Sequence, residues 1–406
     1  MAGRRYASEV GSRRWIVTLA ALTAIVALSI DMSLPAQPTL AVTFDVSAEI
    51  AALNLSLFMI AFAGVQIFIG YLSDAIGRRP VMIGGLAVFT LAGIACAVSP
   101  SIEVLLACRA VQGAGAAASP VVARAMIRDT QPTGQAARLL STMLSVLAIA
   151  PMIAPTIGSA LLDVLGWRAI FGALATCGAA LLLYSSATLD ETLPIAKRSP
   201  ATFTGLVRGF GRFFATRGTR LPILISCASF AGLFAYVAGS PFVLMQGYDV
   251  AAEHYGFYFA LTAIAIMFGS ITGGRMLRAG RSPGAMIVIG AAIQIVGGGL
   301  VALGTALDIG VAGFISPMVI YFFGSGITSP SATALAMEPV PQLAGTASSA
   351  TGSLTMISGS IAGYATTRVG GSTPMVFASV VAVMGAVTFT LAALAAYLRQ
   401  KQHESR

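Results

Sequence analysis

Apolar residues run through this chain in twelve long blocks, and the polar residues gather in the gaps between them. The blocks fall at 15–38, 50–72, 80–99, 102–125, 139–162, 167–187, 220–244, 255–275, 283–304, 310–333, 344–367 and 373–398. A helix needs about 20 apolar residues to cross the roughly 30 Å hydrocarbon core of a bilayer. Each block has that length, so the pattern predicts an all-α membrane protein with twelve transmembrane helices. Gly and Pro occur inside the blocks, which is tolerated because neighbouring helices re-satisfy the backbone groups they free.

The gap after the second block reads GYLSDAIGRRP from Gly70 to Pro80, and a worn copy, GGRMLRAGRSP, spans Gly273 to Pro283. In each copy a Gly is followed seven residues on by Gly-Arg, and Pro comes two residues after the Arg. The second copy starts half of the 406-residue chain later. Two parallel six-helix repeats follow, an N-terminal half at 15–187 and a C-terminal half at 220–398. Tails at 1–14 and 399–406 and a polar linker at 188–219 complete the chain. Within the linker, Phe203 to Phe214 alternates apolar residues with Arg208 and Arg212, the pattern of a short amphipathic helix lying on a membrane surface. Parallel halves with a substrate site between them near the midplane are one known transporter plan.

Charge sharpens this picture. Only 10 % of residues are charged and 57 % are hydrophobic, against about 25 % charged in a soluble domain. The net charge of +9 suggests nucleic acid only until the charges are placed. Of the 24 Lys and Arg, all but Arg109, Arg168 and Arg368 fall in the two tails or in alternate connections. The remaining connections carry Asp45, Glu49, Glu103, Asp163, Asp249, Glu253 and Asp308. This is the positive-inside pattern. It places both termini in the cytoplasm of a cell whose inner membrane the chain crosses, with no nucleic-acid partner. Cys96, Cys108, Cys177 and Cys227 lie inside apolar blocks, so neither a disulfide framework nor a metal-ligand spacing appears. The first block follows four arginines without a convincing cleavage site, and reads as a retained first helix.

Several strings resemble one family. GYLSDAIGRRP resembles the signature loop between helices 2 and 3 of the major facilitator superfamily, and Arg109 to Gly115 (RAVQGAG) resembles its helix-4 signature. Ala150-Pro151, Pro155 and Gly158 are similar to the helix-5 signature of drug/proton antiporters, with Ala154-Pro155 where that signature usually has Gly-Pro. Asp31 to Pro35 (DMSLP), Arg124 to Asp129 (RAMIRD) and Gly166-Trp167-Arg168 resemble the Bcr/CflA drug-resistance group. The resemblance spans the whole chain, with its most informative motifs in the first half. It implies alternating access and a proton-coupled multidrug efflux antiporter for small, largely apolar or amphipathic compounds. The alternative is a proton-coupled exporter of one natural metabolite, such as a dipeptide, amino acid or secondary product. The expected partners are a small-molecule substrate, protons and the lipid bilayer, with the chain acting as a monomer. A sensor would carry an output domain, and an enzyme a nucleophile–base pair or metal cluster; neither appears. Without a phosphate-binding loop, no nucleotide or other cofactor is expected.

Asp31 is the only carboxylate within the hydrocarbon part of a block. Placing Asp there costs about 2.5–3.5 kcal/mol on insertion scales, so it is a functional candidate by default. Arg109 is the only basic residue comparably deep. Both stand roughly seven positions from the outer end of their helices, about 10 Å below the boundary at 1.5 Å per residue. A buried Arg must find an acceptor; it would either tune Asp31 or bind carbonyls freed by helix-breaking prolines. Asp31 and Arg109 are thus the expected proton-coupling pair.

Asp74 ends the second helix, where a carboxylate opposes the dipole, so its partner should be tertiary. Arg124, Arg128 or a helix N-terminus near Ala344 are the expected partners, and the contact would gate the cytoplasmic side. Gly70 and Gly77 would permit close approach and a tight turn, Pro80 would start the third helix, and Arg78 and Arg79 would anchor the loop at the headgroups. Pro151, Pro155 and Gly158 would kink the fifth helix. Phe234, Tyr236 and Tyr258, with Asp31, would line an apolar substrate pocket. Only the first copy of the loop keeps its acid, since Leu277 stands where Asp74 does.

Overall fold

The structure is a computed structural model and describes residues 11–198, 203–340, 344–370 and 373–404. Helices account for almost all of it, and no strand occurs among the described residues. The first half contributes α1 (Arg13–Asp31), the short α2 (Gln37–Thr43), α3 (Ala48–Ile76) and α4 (Arg78–Ala97). It continues with α5 (Ile102–Ala116), α6 (Ala118–Thr130), α7 (Thr133–Leu165) and α8 (Trp167–Thr188). After α9 (Phe203–Ala215) come α10 (Arg217–Phe242), α11 (Ala252–Arg278), α12 (Pro283–Ala306), α13 (Val311–Met337), α14 (Ala344–Gly370) and α15 (Pro374–Glu404).

With α5 and α6 counted as one span broken at Ala117, the long helices match the twelve apolar blocks. This is the all-α membrane fold expected. Ten of them are long and apolar enough to cross a membrane among the described residues. The exceptions are α7 and the Ser-, Thr- and Gly-rich α14, whose composition lowers its mean hydropathy. The linker helix expected from Phe203 to Phe214 is present as α9.

Helix starts follow local chemistry where they can. Ser12 and Ser282 cap α1 and α12 by accepting the backbone N–H of Trp15 and Ala285, each at 3.2 Å. This satisfies one of the orphan donors at a helix N-terminus. α4 has no such side chain: its N-cap is Gly77, at φ 113°. Pro80 lies in its first turn, two residues after the helix begins.

The chain forms two compact units. One comprises residues up to Leu40 together with Leu57–Phe203; the other comprises Ala41–Ser56 and Thr204 onward. The first turns of α3 therefore belong with the second unit. There Glu49 pairs with Arg368 at 2.9 Å, and the Ser56 hydroxyl donates to the Ser360 carbonyl at 3.4 Å. One part of the second unit's core is aromatic: Tyr236 packs against Phe259, Phe322 and Phe377, and Phe377 against Phe314.

Candidate functional site

Asp31 is the last residue of α1 and is 5 % exposed. Pro35 prevents the helix from continuing, and the backbone turns over: the N–H of Ser33 donates to Ile30 rather than to Ser29. The Ser29 carbonyl is left for another donor, and Arg109 takes it at 3.1 Å. A second guanidinium nitrogen donates to the Gln112 amide oxygen at 2.7 Å, one turn along α5. The guanidinium carbon stands 4.4 Å from the Phe58 ring centroid and 5.5 Å from that of Phe171. Arg109 is fully buried, and a cation there is held by carbonyl dipoles and ring faces.

The Asp31 carboxylate has no hydrogen bond or ion pair among the described residues. The direct Arg109–Asp31 contact, one of the two expected arrangements, is thus not formed. Arg109 instead grips α1 two residues before the acid. Of the backbone carbonyls expected as its alternative partners, Arg109 binds one, that of Ser29.

The fifth-span motif meets the same place. A Cβ built on Gly158 would run into the Met32 carbonyl group, so only Gly lets α7 press this closely on the end of α1. Pro151 and Pro155 lie inside α7; Pro155 is buried and Pro151 partly so. Two further polar groups near this end of α1 have no partner among the described residues, the Gln37 amide and the Ser159 hydroxyl. Gln37 is fully buried. Buried polar groups are normally satisfied, and these two join the Asp31 carboxylate as polar groups without a partner among the described residues. Sequence reasoning passed over Gln37 and Ser159 because neither residue type carries charge.

The Gly77 turn assembles a different network. Asp74 pairs with Arg78, four residues on, and Arg78 also binds the Asp129 carboxylate at 2.8 Å and the Ser73 hydroxyl at 2.7 Å. Of the expected partners of Asp74, neither arginine is used: Arg124 donates to the Pro120 carbonyl of its own helix at 2.9 Å, and Arg128 is exposed. The α6 residue that matters is Asp129. Arg78 is 7 % exposed and is not a headgroup anchor. Arg79 likewise turns inward, donating to the carbonyls of Leu189 (2.8 Å) and Ser186 (2.7 Å) at the end of α8.

Glu191 completes the turn. Its carboxylate accepts the backbone N–H groups of Arg78 (2.9 Å) and Arg79 (3.2 Å), capping α4 from more than a hundred residues away. A carboxylate at a helix N-terminus is stabilised by the dipole and the unsatisfied donors together. Arg198 stands 3.8 Å from the same carboxylate. Gly77 is favoured by its positive φ, and a Cβ there would also push against the Glu191 carboxylate. Gly70 is different: a Cβ would meet nothing within 4 Å, so the close approach expected of it is absent.

In the second unit, Phe234 stacks on Phe230 at 5.7 Å and Tyr236 sits inside the aromatic core; both are buried. Tyr258 does not join them. It is half-buried and its ring packs against Phe257. A polar cluster that no motif announced lies nearby. Ser229 on α10 contacts the Gln294 amide on α12 at 3.0 Å, and the Ser325 and Ser329 hydroxyls on α13 at 3.2 Å.

Two compact units of long apolar helices, with a carboxylate buried at one helix end, are the architecture of a transporter. A profile of the Major Facilitator Superfamily matches residues 19–363; the chain belongs to that family. It is 32 % identical over 336 residues to an uncharacterized MFS-type transporter, YdgK, of Bacillus subtilis, covering 82 % of this chain and 83 % of the relative. It is 30 % identical over 376 residues to a bicyclomycin resistance protein homolog of Haemophilus influenzae, covering 89 % and 92 %. The multidrug resistance protein MdtL of Escherichia coli is 31 % identical over 251 residues, 62 % of this chain and 63 % of that one. Among solved structures, a peptide transporter, POT, superposes with a TM-score of 0.76 at 15 % identity, covering 95 % and 94 %. The nucleoside transporter NupG does so at 0.75 and 16 %, covering 94 % and 98 %. These two likenesses establish the fold.

Proposed function

We propose that the protein exports small, largely apolar or amphipathic compounds across the bacterial inner membrane in exchange for protons, with both termini in the cytoplasm. The observation that carries this reading is Asp31, a carboxylate buried at the end of α1 without a partner among the described residues. An acid kept from water resists ionisation, and an arriving cation or hydrogen-bond donor reverses that balance. Substrate and proton then compete for one group. Asp31 is ionised when substrate enters from the cytoplasm; protonation from outside releases the substrate, and the protonated carrier returns. The cycle turns only if each ligand binds the two states with different affinity. The relatives whose names speak of multidrug and bicyclomycin resistance support this direction and substrate range.

The test is uptake into inverted vesicles under an imposed pH gradient, screened over a compound panel. Asp31→Asn should abolish gradient-driven uptake while the protein still inserts and stays monodisperse. Undiminished pH-dependent transport by that variant would sink the reading. A second reading, a carrier for one polar metabolite, is favoured by the orphan amide of Gln37. It predicts sharp saturation, competition by close analogues only, and loss of that selectivity in Gln37→Leu.

A further inference from the structure

The first unit carries a groove at the opposite end of α1 from Asp31, close along α8 to the Ser186 carbonyl that Arg79 binds. It lies between the first turns of α1 and the last turns of α8, encloses about 510 Å³, and is lined by Arg13, Arg14, Val17, Ala21, Leu181 and Tyr184 among others. That volume is in the range of small-molecule sites. Its two halves differ in chemistry. Arg13 and Arg14 stand at one end, exposed, and form no ion pair among the described residues. The first turn of α1 holds no acidic residue, so two guanidiniums face the positive end of their own helix dipole. The sequence before them adds Arg4 and Arg5 against Glu9 alone. Below the arginines the walls are apolar, with Val17 59 % exposed and Tyr184 45 % exposed.

We propose that this groove binds an anionic phospholipid, with the phosphate held by Arg13 and Arg14 and an acyl chain laid along Val17, Ala21 and Leu181. A phosphate suits both a helix N-terminus and a guanidinium fork. Basic pockets between transmembrane helices are where anionic headgroups bind. The apolar floor selects a lipid over a free anion, and Tyr184 presents an amphipathic ring at the rim, as interfacial tyrosines do. The lipid sits at one end of the helix whose other end carries Asp31.

The test uses the full-length protein in detergent micelles. It measures binding of labelled phosphatidylglycerol and phosphatidylcholine, with inorganic phosphate as competitor. Phosphatidylglycerol should bind preferentially, and R13Q/R14Q should weaken it about 25-fold, about fivefold per arginine, while leaving phosphatidylcholine unchanged. R13K/R14K should keep most of the preference, and Ala21→Trp, which fills the floor without touching charge, should abolish binding of both lipids. Equal binding of the two lipids, or parental affinity in R13Q/R14Q, overturns the proposal. Displacement by millimolar phosphate overturns it too, by making the groove a free-anion site. Should R13Q/R14Q fail to fold, unaltered lipid binding by Ala21→Trp does the same. None of these measurements depends on transport, so they stand or fall apart from the proton-coupled reading.

Discussion

Gly77 and Gly280 both take a positive φ, 113° and 88°, and an arginine follows each. Their surroundings differ. A Cβ on Gly77 would strike Glu191 and stand 2.8 Å from Arg198, whereas one on Gly280 would meet nothing within 4 Å. Arg78 is buried between Asp74 and Asp129; Arg281 is exposed and forms no ion pair among the described residues. The helix that follows the first turn is capped by Glu191 at the far end of its unit, while the helix after the second is capped by the adjacent Ser282. The backbone of the turn is thus separable from the network built on it. A local cap makes the second turn self-sufficient. The first depends on three other elements and can report their arrangement.

The interiors differ in the same way. The first unit buries a cation, Arg109, on the Ser29 carbonyl, Gln112 and two rings. The second buries neutral groups, Gln294 with three serines, and Tyr321, whose hydroxyl lies against Gly232 without a partner among the described residues. A buried charge is costly unless it is fully solvated by protein groups, whereas neutral hydroxyls and amides cross-link helices at small cost.

The largest expected effect separates these interiors. Arg109→Lys should lower vesicle transport about a hundredfold, since one ammonium cannot reproduce a planar fork on two acceptors between two rings. Tyr321→Phe should stay within about twofold of the parent, because it removes one neutral hydroxyl and leaves no charge unpaired. Comparable losses from the two would erase the distinction between a functional and a merely structural interior.

Next come the turns. Arg78→Ala leaves Asp74 and Asp129 facing each other without a cation and should destabilise the protein by about 2 kcal/mol, read as a lowered melting temperature in detergent. Arg281→Ala should leave that temperature unchanged within about 2 °C. A smaller difference is expected at the caps. Glu191→Ala frees two helix donors and should cost about 1–2 kcal/mol, against about 1 for Ser282→Ala. Equal shifts would mean that the remote cap does no more than the local one. Smallest of all, Leu277→Asp restores the missing acid four residues before Arg281, which lies past the end of α11, and an exposed pair of this kind is worth about 0–1 kcal/mol. If that single change made transport depend on Arg281, the network around the first turn would be dispensable.

Asp31, Arg109 and Asp74 were legible as candidates because charge in an apolar block is conspicuous. Their partners were not. Arg124 and Arg128 were the nearest cations in the expected topology, yet the bond to α6 runs from Arg78 to Asp129, since a guanidinium at the helix start reaches farther than a short carboxylate. Glu191 reads in sequence as one acid in a polar linker. Its role as cap emerges only when the end of α8 lies beside the start of α4. Phe234 and Tyr236 were noticed as aromatics, but the sequence could not separate a core ring from a pocket ring, and Tyr258 shows that neighbours in sequence part company in space.

The sequence by itself determined the solvent, the number of spans, the duplication and the locations of buried charge. Each of these follows from the transfer free energy of single side chains and from spacing along one helix, which are local properties. Which group neutralises which was decided by tertiary structure alone. The end of α1 frees a carbonyl for Arg109, Gly158 admits α7 against Met32, and residues 41–56 pack with the second unit rather than the first. Those pairings depend on distances of a few ångströms between helices remote in sequence, and a bond of that reach leaves no periodicity for the sequence to display.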